Sequence, residues 1–213
     1  MDPLHERVAR VGLAVLDQYG FALAGGYAVQ VHGIIGRTSE DVDLFTDHAD
    51  PVEFAQALDA AMAAWRSDGL TVSIDAQFET FARLYVSDED DRQMTVELGY
   101  DWRANPATRL SIGPVLHPDD AVANKVCATY SRGLPRDYVD VNAALLAGGY
   151  SKQQLLSLAV EHDRGFDPVP FAQALRASSR YSDAVYRAYG LTSEQVSEMR
   201  RKLLDWAQEL DPR

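Results

Sequence analysis

At 213 residues, with 46% hydrophobic and 24% charged side chains, the chain has the makeup of a folded globular protein, one large domain or two small ones. Its net charge of −12 excludes general polyanion binding through a basic surface. Arg103, Arg109, Lys125, Arg132 and Arg136 nevertheless fall in one middle region and leave room for a focused positive groove. The single cysteine, Cys127, excludes an internal disulfide and reads as a buried structural thiol.

In chain order, residues 4–19 carry apolar side chains at helical spacing and stop at Gly20, which predicts an amphipathic helix. Residues 21–24 read as a short strand, followed by a sharp turn at Gly25–Gly26, a helix, and a second strand over 42–45. The longest apolar stretch, residues 20–35, is shorter than a spanning helix, is interrupted by glycines and lacks the basic flank of a leader; a cytoplasmic protein with no membrane partner is expected. Asp50 and Pro51 form a helix start, as N-cap and first helical residue, and the helix continues to 65. Residues 70–74, 81–86 and 94–98 read as strands, the last two joined by the acidic turn SDEDDRQ. From Asp119 onward the pattern is helical. Pro114 to Pro118 marks the boundary between a strand-rich part, 1–115, and a helical part, 116–213.

Two aspartates interrupt the apolar run SEDVDLF. On a strand, Asp41 and Asp43 project from one face roughly 6 to 7 Å apart, with Val42 and Leu44 turned the other way. Carboxylates this close repel each other and lose hydration, so they call for a compensating cation; magnesium, which takes a few carboxylates together with waters and phosphates, fits such a pair. The preceding Gly25–Gly26 turn opens a helix whose free amides and positive dipole end suit a nucleotide's phosphates. Glu97, on the alternating strand MTVELGY, is the candidate third metal ligand if that strand lies beside Asp41 and Asp43.

The second constellation lies in DDAVANKVCATYSRGLPRDYVDVNAALL. Lys125 and Arg132, seven residues apart, would share a helical face and aim at one anion; Arg136, Asp137 and Asp140 would form a one-face cluster on the next helix. A plain reading of the same residues is a helical hairpin laced by surface ion pairs.

With these motifs in hand, the chain resembles the AbiEii-type nucleotidyltransferase toxins of the polymerase-beta-like nucleotidyltransferase superfamily. The resemblance rests on GGYAVQVHG followed by RTSEDVDLF, and on the second constellation further along. It implies an α/β (α+β) fold: a nucleotidyltransferase core with a small mixed sheet, followed by a helical C-terminal domain. It also implies magnesium-dependent transfer of a nucleoside monophosphate from an NTP to the 3′ end of tRNA, blocking aminoacylation, and a cognate DNA-binding antitoxin. Under it Asp41 and Asp43 hold magnesium. Gly25, Gly26, Arg37, Ser39, Lys125 and Arg132 meet the nucleotide, and Asp140 orients Lys125 or takes the acceptor's proton. Ser39 falls where some members carry a phosphorylatable residue. The alternatives are a nucleotidyltransferase acting on a small molecule or a protein hydroxyl, which suits the acidic chain better, and a catalytically silent binding partner.

Overall fold

The computed structural model describes residues 1–212, which form two compact units. The first is Met1–Val31 with Thr38–Pro118; the second is Asp119–Arg213 joined by His32–Arg37, so a short excursion of the N-terminal half belongs with the helical part. The first unit holds 19 of the acidic and 7 of the basic side chains and the second 13 of each, which puts the whole net charge of −12 on the first.

The first unit is built on a mixed seven-stranded sheet: β1 (Ala22–Leu23), β2 (Asp41–Thr46), β3 (Thr71–Phe78), β4 (Phe81–Ser87), β5 (Gln93–Tyr100), β6 (Thr108–Leu110) and β7 (Gly113–Val115). Their order is β3-β4-β5-β2-β1-β7-β6. The β3-β4-β5 part is an antiparallel meander, β5 runs parallel to β2, and β1 is antiparallel to β2 and parallel to β7. Helices α1 (Pro3–Leu16) and α3 (Pro51–Ser67) pack together and against the sheet, and Trp65, fully buried, donates its indole N–H to the Val8 carbonyl at 2.9 Å. Both helices start on Asp-Pro, the aspartate accepting amide hydrogen bonds from the first turn. Helix α2 (Gly25–Val31) leaves β1 directly.

Two strands exceed what periodicity predicts. β6 and β7 have three residues each, too short for an alternation to register. β3 runs to Phe78 although most of its residues are exposed, because it is the sheet's edge and has one partner only.

The second unit contains α4 (Pro118–Ser131, entering it at Asp119), α5 (Pro135–Leu146), α6 (Lys152–His162), α7 (Pro168–Arg176), α8 (Asp183–Arg187) and α9 (Ser193–Leu210). An aromatic row holds it together: Phe166 lies 5.1 Å from Phe171, which meets Trp206 edge-on at 5.2 Å between α7 and α9.

Candidate active site

Strand β2 alternates half-buried and buried residues, so Asp41, Asp43 and Phe45 share one face while Val42 and Leu44 are fully buried on the other. The acids therefore stand side by side, as the spacing predicts. Asp41 Oδ1 accepts a hydrogen bond from the Ser39 hydroxyl at 3.0 Å; Asp41 Oδ2 accepts none among the described residues. Ser39 itself is 5% exposed, which buries that hydroxyl against the acid.

Gly25 fits against Asp43 as only glycine can. It sits at φ +57°, and a Cβ there would lie 1.6 Å from Asp43 Oδ2. The carboxylate thus occupies the place of a side chain at the head of α2. The amides of Gly25, Gly26 and Tyr27 precede that helix's first closing bond, from Ala28 N–H to the Ala24 carbonyl at 3.0 Å, and have no helical acceptor. Ala24 N–H in turn donates to the Asp43 carbonyl at 2.8 Å, which pins the turn to the strand.

A chain of hydrogen bonds supports this corner from behind. Tyr27 is fully buried and donates its hydroxyl to the Ser39 carbonyl at 3.1 Å. The phenol has one proton to give, so His5 Nδ1, 2.6 Å away, donates to it. Burial pushes the Tyr27 hydroxyl up to about 12 and the His5 ring below its ordinary value. Sequence reasoning missed both residues; the signal was an aromatic side chain placed in an otherwise small-residue turn right after the two glycines.

The expected third carboxylate is not assembled with the other two. Glu97 does lie beside Asp43 in the parallel register of β2 and β5. Its carboxylate, however, is held by Arg83, directly opposite on β4, with Nε donating at 2.8 Å and Nη2 at 2.7 Å. Among the described residues no three His, Cys, Asp or Glu side chains are gathered to hold a metal ion. The hairpin around SDEDDRQ carries the signal for this pair, since pairing Val86 with Met94 places Arg83 against Glu97.

In the second unit Asp140 is the hub. Arg37 donates from Nε to Oδ1 at 2.7 Å and from Nη2 to Oδ2 at 2.6 Å, and Lys125 Nζ lies 3.2 Å from Oδ2. Asp140 is fully buried and both cations are less than a tenth exposed, an arrangement that leaves one positive charge in excess. The Arg37 guanidinium also lies over the Tyr189 ring at 5.6 Å. Arg132 does not share this anion: it pairs in bidentate fashion with buried Asp137, both contacts at 3.0 Å. Asp137 also caps α5 by accepting from Leu134 N–H at 3.0 Å, so the Asp at that position is structural. Arg103 and Arg109 belong to the first unit and are paired with Asp47 and Asp17.

The chemistry of the donors fits a divalent ion. Asp41 and Asp43 adjoin on one strand, Asp41 keeps an unengaged oxygen, and Gly25 keeps the space beside Asp43 clear of carbon. Two carboxylates completed by waters and phosphate oxygens meet the needs of magnesium.

Among solved structures, the chain is similar to the nucleotidyltransferase toxin MenT4 of Mycobacterium tuberculosis, with 19% identity, a TM-score of 0.65, and 98% of this chain and 84% of that one covered. It is likewise similar to JHP933 from Helicobacter pylori, with 19% identity, a TM-score of 0.61 and coverages of 98% and 91%. At such identities the likeness speaks for the fold. No curated protein sequence matches the chain. The family model for the AbiEii nucleotidyl transferase toxin of type IV toxin–antitoxin systems matches residues 12–210, and by that match the chain belongs to the AbiEii nucleotidyltransferase toxin family.

Proposed function

We propose that this nucleotidyltransferase is a magnesium-dependent toxin that moves a nucleoside monophosphate from an NTP to the 3′ end of tRNA in the cytoplasm and so blocks aminoacylation. The observation that carries the catalytic part is the adjacency of Asp41 and Asp43 beside a glycine whose missing Cβ is replaced by the Asp43 carboxylate. Family membership supplies the toxin role and an antitoxin partner; a DNA-binding antitoxin is part of the same proposal.

Asp41 and Asp43 are the ligands; a bound magnesium ion would neutralise charge on the triphosphate and orient the α-phosphorus for in-line attack. The amides of Gly25 and Gly26, which have no helical acceptor, are assigned to the phosphates. Ser39 fixes the Asp41 carboxylate by its hydroxyl. Lys125 is assigned to the triphosphate or the departing pyrophosphate, on the strength of the family motif it belongs to. Asp140 has both oxygens engaged by Arg37 and Lys125, which favours its role in orienting the lysine over that of a proton acceptor. Arg37 thereby acts as its clamp.

The test is incubation of the protein with each labelled NTP, magnesium and total tRNA, beside an Asp41→Ala variant. Label at the tRNA 3′ end that vanishes in the variant is the expected result; transfer retained by the variant would refute the assignment. The concentration of all net negative charge on the first unit favours a second reading, transfer to a small molecule or a protein hydroxyl. Label on such an acceptor and none on tRNA would establish it.

A further inference from the structure

The second unit carries a cleft of about 390 Å³ that shares no lining residue with the Arg37–Asp140–Lys125 cluster. Its walls include Tyr130, Tyr138 and Tyr181, with Arg132, Arg180 and Gly133. All three phenols are tied to backbone carbonyls: Tyr181 donates to Gly133 at 3.0 Å, Tyr138 to Ala174 at 2.9 Å and Tyr130 to Gly165 at 3.3 Å. Tyr138 is fully buried, so the rings of Tyr130 and Tyr181 are the ones left to meet a flat ligand, and being held in place they would lose little side-chain freedom to it. Gly133, at φ +54°, lies close to the Tyr138 hydroxyl; a Cβ there would be 2.6 Å from that oxygen, so the bend that closes one side of the cleft admits no side chain.

Charge completes the picture. Arg132 is half exposed and its charge is met by Asp137. Arg180 is exposed and makes no ion pair among the described residues, so the cleft has one unmatched positive charge. It does so in the unit that carries 13 acidic and 13 basic side chains, where no general repulsion opposes an anion. Rigid aromatic rings beside an unmatched guanidinium select a ligand that is both planar and anionic. The volume falls within the range of small-ligand sites.

We propose that this cleft is a second nucleotide site, binding a nucleoside monophosphate unit with its phosphate on Arg180 and its base against Tyr130 and Tyr181. The unit can be a free nucleotide or one residue of a single-stranded RNA; both present the same base and phosphate. Neither magnesium nor Asp41 takes part.

The experiment is calorimetric titration of the full chain in EDTA with AMP, with a single-stranded tetraribonucleotide and with inorganic phosphate. AMP or the oligonucleotide should bind at least tenfold more tightly than phosphate, the tighter of the two naming the source. Arg180→Glu should weaken binding at least tenfold with an unchanged melting temperature, since the side chain is exposed and has no ion-pair partner to lose. Asp41→Asn should leave binding unaltered, so the cleft and the proposed catalysis fail separately. Absence of binding, phosphate binding as tightly as AMP, or full affinity in Arg180→Glu would overturn the proposal.

Discussion

Arg37 meets both carboxylate oxygens of Asp140 along one edge of its guanidinium, at 2.7 and 2.6 Å, although 103 residues separate them in the chain. This pair brings residues 32–37 into the helical unit. Removing the shared anion would leave Arg37 and Lys125 buried without it, which costs about 3–5 kcal/mol. Asp140→Asn should therefore unfold at a clearly lower urea concentration. Lys125→Met keeps the Arg37–Asp140 pair, so its stability should fall less, while transfer should drop by about 100-fold or more if the lysine meets the triphosphate. Urea melts and single-turnover assays on the two variants separate the structural anion from the functional cation.

Gly25→Ala is expected to cost about 1–3 kcal/mol through its left-handed backbone. The larger effect should be local, because the added carbon would stand 1.6 Å from Asp43 Oδ2 and must drive that carboxylate away. The variant should fold by circular dichroism yet lose magnesium-dependent transfer. Transfer within a few-fold of normal would show that Asp43 is dispensable.

Glu97 offers a sharp test of how many acids the proposed metal site would use. Its contact with Arg83 is partly exposed, so Arg83→Ala should change stability by less than about 1 kcal/mol. With the guanidinium holding it in the native protein, Glu97→Gln should shift manganese affinity, read by electron paramagnetic resonance, by less than about threefold. A loss of about tenfold or more would restore it as a ligand.

His5 should give the protein a stability that depends on pH. Burial is the main influence and lowers its pKa from 6.5, against the opposing pull of Asp2 and Asp41; the N-terminal ammonium lowers it further. Below 6.5 the unfolded chain takes up a proton that the folded ring refuses, so the stabilisation is complete above that pH and declines as pH falls toward the folded value. His5→Gln should flatten this slope in denaturation midpoints taken between pH 5 and 7.5. An unaltered slope would assign the dependence to other groups.

Much of the candidate site's corner was legible because its cues are local. Alternation on β2 fixes the shared face of Asp41 and Asp43, and the glycine pair marks the turn. Asp50–Pro51 gives the start of α3 to the residue. What escaped depends on partners far apart in sequence. Spacing cannot say that Arg83 takes Glu97, that Arg132 and Lys125 settle on different aspartates, or that His5 supports Tyr27 across 22 residues. Helical periodicity put Lys125 and Arg132 on one face, but α4 ends at Ser131, and the chain beyond it bends at Gly133 and carries Arg132 to Asp137.

The uneven division of charge bears on endurance as well as on recognition. A body with 19 acids against 7 bases strains against its own like charges, and dissolved ions shield such strain over about 8 to 10 Å near physiological ionic strength. Raising sodium chloride should make the sheet-bearing unit harder to melt while the helical unit, evenly balanced, hardly responds. Differential scanning calorimetry across a salt series would then resolve two transitions that drift together or apart, a thermal signature written by where the carboxylates sit.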